Sequence, residues 1–176
     1  MASYYYLLSS LPMLKADGEM PFSYATFLDM CKSAVRDATY EMLENLTLSS
    51  TQGPLISEWS KFYTVFEQEL INQRHLRLGR AVQRSDQKDE TMAKAIAAVI
   101  HGKNPLEAEK ALLAWEFQTI DELIGTHYFD DAALMGYALK LKLLERKHVF
   151  DQARGKKELH RIVNALEQHI MTAKQE

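Results

Sequence analysis

Cysteine, glycine and proline are scarce in this chain of 176 residues, and each shortage excludes a class of structure. The single cysteine, Cys31, cannot form an internal disulfide or a multi-thiolate zinc site, which fits a reducing compartment. The 7 glycines and 4 prolines are too few for a turn-rich all-β fold or for a disordered chain. The length itself fits one domain.

An excess of basic residues and long hydrophobic runs are also missing. The formal net charge is −3, whereas non-specific nucleic-acid binding depends on many cationic contacts to phosphates. No stretch approaches the roughly 20 apolar residues that a membrane-spanning helix needs. The uncharged N-terminal stretch lacks the positive start of a signal peptide and is interrupted by three tyrosines. We therefore expect a cytoplasmic protein that binds no nucleic acid and does not insert into a membrane.

Apolar residues recur at helical spacing along nearly the whole sequence. Ser23 is a good N-cap, Pro54 suits the first turn of a helix that continues towards Val82, and Asn104 followed by Pro105 is a strong helix start. We predict an all-α fold, an irregular bundle of six or seven helices in one domain spanning 1–176. The N-terminal tyrosine segment is expected to be extended or a short helix. Two alternatives stay open for the segment after about residue 155: a helical arm or a truncated C-terminus.

Motifs for phosphate, serine and thiol chemistry are missing from the sequence. No glycine-rich phosphate-binding loop and no Gly-x-Ser-x-Gly turn occurs. Cys31 falls on the apolar face of a predicted helix, where a cysteine usually serves as a small core residue. We therefore expect a protein that is not itself catalytic and that carries no cofactor.

Glu145 and His148 form the one spacing that is typical of a metal site. Glu-x-x-His on a helix places both side chains on one face, as in di-metal carboxylate bundles. Such sites need a second copy of the motif, which this sequence lacks, and basic neighbours of Glu145 disfavour a cation. A solvated charged face is the preferred interpretation. A helical metal-binding enzyme is kept as an alternative.

Charge is segregated along the chain. Arginines recur at intervals of three, three and four in one region, namely Arg74, Arg77, Arg80 and Arg84. The segment 104–131 has seven acids against Lys110, and the segment 140–161 has eight bases against three acids. Two interpretations are open: the opposite charges pair between helices inside the protein, or the arginine stripe binds a partner.

Three stretches resemble an uncharacterised bacterial family whose members are encoded in V-type (A/V-type) ATP synthase operons. They are the tyrosine-rich segment 4–12 followed by 21–23, the Trp-anchored helix 59–72, and the segment 137–146 with Gly155 beyond it. The resemblance implies an all-helical protein equivalent to the funnel-shaped subunit that couples the rotor ring to the central stalk, or an assembly factor of that ATPase. Membership would place the protein at the cytoplasmic side of the inner membrane through a complex.

The sequence therefore predicts a non-enzymatic helical protein that binds other proteins. V-type ATPase subunits are the expected partners if the resemblance holds, and a general helical scaffold or adaptor unrelated to ATPases is the alternative. The tyrosines and the arginine stripe are the candidate partner contacts: Tyr4, Tyr5, Tyr6, Arg74, Arg77, Arg80 and Arg84.

Overall fold

All regular structure in the described part of the chain is helical. The computed structural model describes residues 4–81, 90–102, 104–148 and 155–164, and no strand occurs within these ranges. The helices, in chain order, are α1 (Tyr5–Ser10), α2 (Tyr24–Cys31), α3 (Asp37–Glu44), α4 (Ile56–Arg77), α5 (Glu90–Ile100), α6 (Pro105–Ile124), α7 (Asp131–His148) and α8 (155–164). The predicted all-α bundle is confirmed. The tyrosine segment was expected to be extended or a short helix, and it is a short helix.

Helix α7 lies at the centre of the bundle, against α6, α2 and α3. Its apolar residues are nearly all inaccessible to solvent, with Leu139 at 0% exposure. Gly136 lets α6 approach closely, because a Cβ at this position would lie 2.5 Å from Ile124 Cδ1. The absence of a side chain at this position of α7 therefore leaves room for Ile124 of α6.

An aromatic cluster joins α4 to α6. Trp59 is fully buried, stacks on Tyr63 at 5.1 Å between ring centroids, and donates its indole N–H to the Leu48 carbonyl at 2.9 Å. Phe66 meets Trp115 of α6 edge-on at 5.7 Å. Edge and offset ring contacts of this kind add to the stabilisation from burial. Trp59, Tyr63 and Phe66 thus belong to the core.

The capping signals predict two helix starts correctly. Ser23 Oγ accepts the Thr26 N–H at 3.2 Å, and Asn104 Oδ1 accepts the Leu106 N–H at 3.0 Å, with Pro105 as the first residue of α6. Each side chain satisfies an amide that the first turn of a helix leaves unpaired.

Helix α4 is shorter than its sequence predicts. It begins at Ile56 rather than at Pro54, after Leu55 takes a positive φ of 63°. It ends at Arg77 because Gly79 adopts a φ of 66°, the left-handed conformation that terminates helices. The prediction of a helix that continues towards Val82 is therefore wrong over 78–81, and Val82 itself lies outside the described residues.

Candidate partner-binding surface

Tyr4 is buried and holds the N-terminal segment in place. Only 5% of the residue is exposed, and its hydroxyl donates to Asp131 Oδ1 at 2.9 Å. Thr39 donates to the same oxygen at 2.9 Å, and Arg36 Nη2 donates to the other oxygen, Oδ2, at 2.7 Å. This tyrosine, predicted as a partner contact, therefore joins α1 to the first turn of α7 and to α3.

Tyr5 and Tyr6 lie on the outside. Tyr5 is 54% exposed and Tyr6 is 88% exposed, and their rings meet edge-on at 5.6 Å. The Tyr5 ring also lies 4.7 Å from the ring of Phe129, whose neighbour Tyr128 is 69% exposed. We name these four residues, Tyr5, Tyr6, Tyr128 and Phe129, the aromatic patch.

Backbone and side-chain bonds fix the loop that carries half of the aromatic patch. The Tyr4 N–H donates to the Phe129 carbonyl at 2.7 Å, which ties the loop directly to the start of α1. Asp130 Oδ1 accepts the Ala133 N–H at 3.1 Å, and its Oδ2 lies 2.5 Å from His127 Nδ1. The aromatic patch thus projects from a loop and a helix that are bonded to each other.

The pKa of Asp130 reports the same arrangement. Partial burial acts to raise this pKa, but the hydrogen bond from the Ala133 amide and the contact with His127 outweigh it, so the pKa lies below its ordinary value. An ionised carboxylate at the start of α7 is favoured by the helix macrodipole. The loop is therefore held by a charge that persists across the neutral pH range.

Sequence periodicity did not identify Tyr128 and Phe129 as candidates. They lie in the short connection between α6 and α7, after Gly125 and before Asp130, where no helical repeat applies. The only sign of them in the sequence was that two aromatic residues are adjacent in a polar loop. Their relation to Tyr5 and Tyr6 is a tertiary one that only the fold reveals.

The arginine series does not form one helical stripe. Arg74 Nη2 donates to Glu109 Oε1 of α6 at 2.7 Å, and Arg77 Nη1 donates to the Ile100 carbonyl at the end of α5 at 3.0 Å. Arg80 is exposed beyond the end of α4, and Arg84 lies outside the described residues. Two of the four candidate contacts are thus engaged within the protein.

Basic residues of α7 pair internally as well. Lys140 binds Asp121, and the Lys147 ammonium donates to the carbonyls of Ala16 and Gly18, both at 3.0 Å. Lys142 lies 3.7 Å from the centre of the Tyr24 ring, a cation–π contact. These basic side chains therefore bind groups within the protein and connect α7 to neighbouring elements.

The pair of Glu116 and Arg146 is the most buried of these ion pairs. Glu116 is fully buried, and its two carboxylate oxygens accept from Arg146 at 3.1 and 2.5 Å. Burial raises the pKa of Glu116, and the guanidinium opposes this rise without cancelling it. Burial would lower the pKa of Arg146, but the bonds with Glu116 raise it above its ordinary value. Each group therefore compensates the charge of the other in the protein interior.

Glu145 and His148, the two candidate metal ligands, are not joined by a third ligating side chain in the described part of the chain. The Glu145 carboxylate accepts from Lys142 Nζ at 3.4 Å, and His148 is the last, exposed residue of α7. Within the described ranges, no group of three histidine, cysteine or acidic side chains could hold a metal ion. Cys31 is fully buried, and burial raises the pKa of its thiol to about 12. Its position in the core agrees with the expectation from the sequence.

Comparison with known proteins gives one partial match. Residues 90–170 match the model of a family described as a protein of unknown function (DUF2764). No curated protein and no solved structure matches the chain. The matched stretch contains α5, α6, α7 and α8, and so includes Tyr128 and Phe129 but not α1.

None of the described helices has both the length and the apolar character that a membrane span needs.

Proposed function

We propose that this protein is a non-enzymatic helical subunit or assembly factor that binds another protein through the aromatic patch. The observation that carries the proposal is the cluster of four accessible aromatic side chains in ring contact on one surface. Aromatic residues dominate the binding energy of protein interfaces, because they bury a large area at a small cost in conformational entropy.

Rigidity supports the same proposal. The buried hydroxyl of Tyr4 and the backbone bond from Tyr4 to Phe129 fix the two segments that form the aromatic patch. A surface that is ordered before binding loses less entropy on association than a mobile one does. Arg36, whose side chain is 60% exposed, also bonds to the Tyr4 hydroxyl and to Asp131, and so helps to hold the same segments together.

V-type ATPase subunits are the partners that we propose. The support is the resemblance of the segments 4–12, 59–72 and 137–146 to the family from V-type ATPase operons. The first of these segments contains Tyr5 and Tyr6, so the resemblance and the aromatic patch coincide there. A stalk or rotor connector needs stiff helices and exposed side chains for contact with other subunits, and the helices and the aromatic patch of this fold are compatible with both needs.

Co-purification from the native host tests both levels of the proposal. A tagged wild-type chain is expected to recover V-type ATPase subunits, and the double variant Tyr6→Ala/Tyr128→Ala is expected to lose them. Leu106→Ala is a matched control, since Leu106 is 59% exposed at the start of α6, outside the aromatic patch. Recovery of a different partner through the aromatic patch would favour the general adaptor. Equal recovery by all three chains would contradict the proposed surface.

A further inference from the structure

A pair of charged side chains encloses the part of the aromatic patch that lies between α6 and α7. His127 and Asp130 stand directly before and after Tyr128 and Phe129 in the chain. His127 Nδ1 lies 2.5 Å from Asp130 Oδ2, so a contact between side chains closes the turn that carries both rings. We name this contact the His–Asp clamp.

The His–Asp clamp is attached to a helix at each end. The His127 N–H donates to the Ile124 carbonyl at the end of α6, at 2.9 Å. Asp130 Oδ1 accepts the Ala133 N–H at 3.1 Å, and the Asp130 carbonyl accepts the Leu134 N–H at 3.1 Å, both within α7. A change in the strength of the clamp therefore acts on the two rings between these attached ends.

Histidine is the member of this pair whose side-chain type changes charge near neutral pH, between about pH 5 and 8. Partial burial acts to raise the pKa of Asp130, but the bonds with Ala133 and His127 bring it below its ordinary value, so the carboxylate stays ionised over that range. A protonated imidazole makes a charge-assisted bond to a carboxylate, and a neutral imidazole makes a weaker one. The His–Asp clamp is therefore strongest while His127 is protonated and weakens as pH rises.

Charged groups on the adjoining elements have partners of their own. Helix α1 carries no charged side chain. The acidic side chains at the end of α6 and the start of α7 are bonded elsewhere, namely Asp121 to Lys140, Glu122 to Gln118, and Asp131 to Arg36. In the described part of the chain, Asp130 is thus the charged group that contacts His127.

We propose that the His–Asp clamp makes partner binding depend on pH, with protonated His127 holding Tyr128 and Phe129 in the arrangement that the partner binds. A surface that is ordered before association loses less entropy on binding. Exposed ion pairs contribute modestly, so binding should be about two- to threefold tighter at pH 6 than at pH 8. The inference rests on the proposed function, because it describes the regulation of the same aromatic patch.

NMR of the free protein tests the His–Asp clamp without a partner. The nuclear Overhauser effect between the rings of Tyr5 and Phe129, whose centroids lie 4.7 Å apart, should weaken as His127 loses its proton. Asp130→Asn keeps the helix cap, since asparagine caps as well as aspartate does, but it removes the negative charge. Its ring signal should be weak at both pH values. Asp29→Asn, an exposed carboxylate on α2, is the matched control and should behave like the wild type.

Affinity for the co-purified partner at pH 6 and pH 8 tests the consequence. The wild type and Asp29→Asn should bind more tightly at pH 6, whereas Asp130→Asn and His127→Gln should bind equally at both pH values. His127→Gln keeps all the other histidines, so it isolates the effect of this one.

Each level of the inference has its own contradicting result. A wild-type ring signal that stays constant while His127 titrates would overturn the His–Asp clamp, whatever the protein binds. Binding of Asp130→Asn that keeps the pH dependence would show that His127 acts directly on the partner, and would overturn the proposal. A ring signal that follows pH, together with binding that is indifferent to Tyr128→Ala, would support the clamp and contradict the proposed function.

Discussion

The centre of α7 is buried within the protein, whereas the aromatic patch is exposed to solvent. In α7, apolar and charged groups alike are matched to partners within the chain, as the fully buried Leu139 and the Glu116–Arg146 pair show. In the aromatic patch, Tyr6 and Tyr128 keep most of their surface in solvent. We therefore expect substitutions in α7 to change the stability of the protein and substitutions in the aromatic patch to change its binding to a partner.

The largest expected effect is at the buried ion pair. Arg146→Met leaves the fully buried Glu116 carboxylate without its guanidinium, and we expect a loss of about 3 kcal/mol in the free energy of unfolding near neutral pH. The pKa of Glu116 would rise further above its unfolded value. A carboxyl group with a raised folded pKa stabilises the fold below its unfolded pKa, and that stability is lost as pH rises through the folded pKa.

Urea denaturation across the acidic to neutral range measures this effect. The variant should therefore be least stable at neutral pH and regain stability on acidification. The double variant Glu116→Leu/Arg146→Met removes both charges and should recover most of the loss, with little dependence on pH. A single variant as stable as the wild type at neutral pH would show that the pair is not coupled.

A second effect on stability is expected where α6 and α7 approach most closely. Gly136→Val places atoms within 2.5 Å of Ile124, and overpacking of this kind should cost about 2 kcal/mol. Gly155→Val is the control, because nothing lies within 4 Å of a Cβ built at Gly155. Thermal unfolding should show a lower midpoint for the first variant only. Equal midpoints would mean that the helices separate without cost.

A smaller effect should appear where the two regions meet. Tyr4→Phe removes the hydroxyl that donates to Asp131, and we expect a loss of about 1 kcal/mol in the free energy of unfolding. Tyr5→Phe removes a hydroxyl from an exposed ring and should be neutral within about 0.5 kcal/mol. Chemical denaturation compares the two. A neutral Tyr4→Phe would remove the argument that this hydroxyl fixes the aromatic patch.

Sequence reasoning predicted the helical class well because its signals are local. The caps at Ser23 and Asn104 and the helical spacing of apolar residues depend only on residues a few positions apart, and the structure contains them. The end of α4 depends on a glycine that adopts positive φ, so periodicity alone extended the helix too far. Local patterns thus locate helices better than they locate their ends.

The candidate surface was only partly predictable. Three consecutive tyrosines carry no information about which ring faces inwards, and the burial of Tyr4 depends on Asp131, which is 127 positions away. The spacing of the arginines predicted one helical stripe, but Arg74 and Arg77 bind groups on α6 and α5. Separating internal pairs from free charges requires the distances between helices, and a single sequence does not contain them.

Affinity for the recovered partner tests the central claim most directly. The dissociation constants of the wild type, Tyr128→Ala and Leu106→Ala would be measured together with the free energy of unfolding of each. We predict binding weakened by about tenfold or more for Tyr128→Ala, the equivalent of roughly 1.4 kcal/mol, with unchanged stability and with Leu106→Ala like the wild type. Equal affinities for all three proteins would contradict the assignment of the aromatic patch as the binding surface.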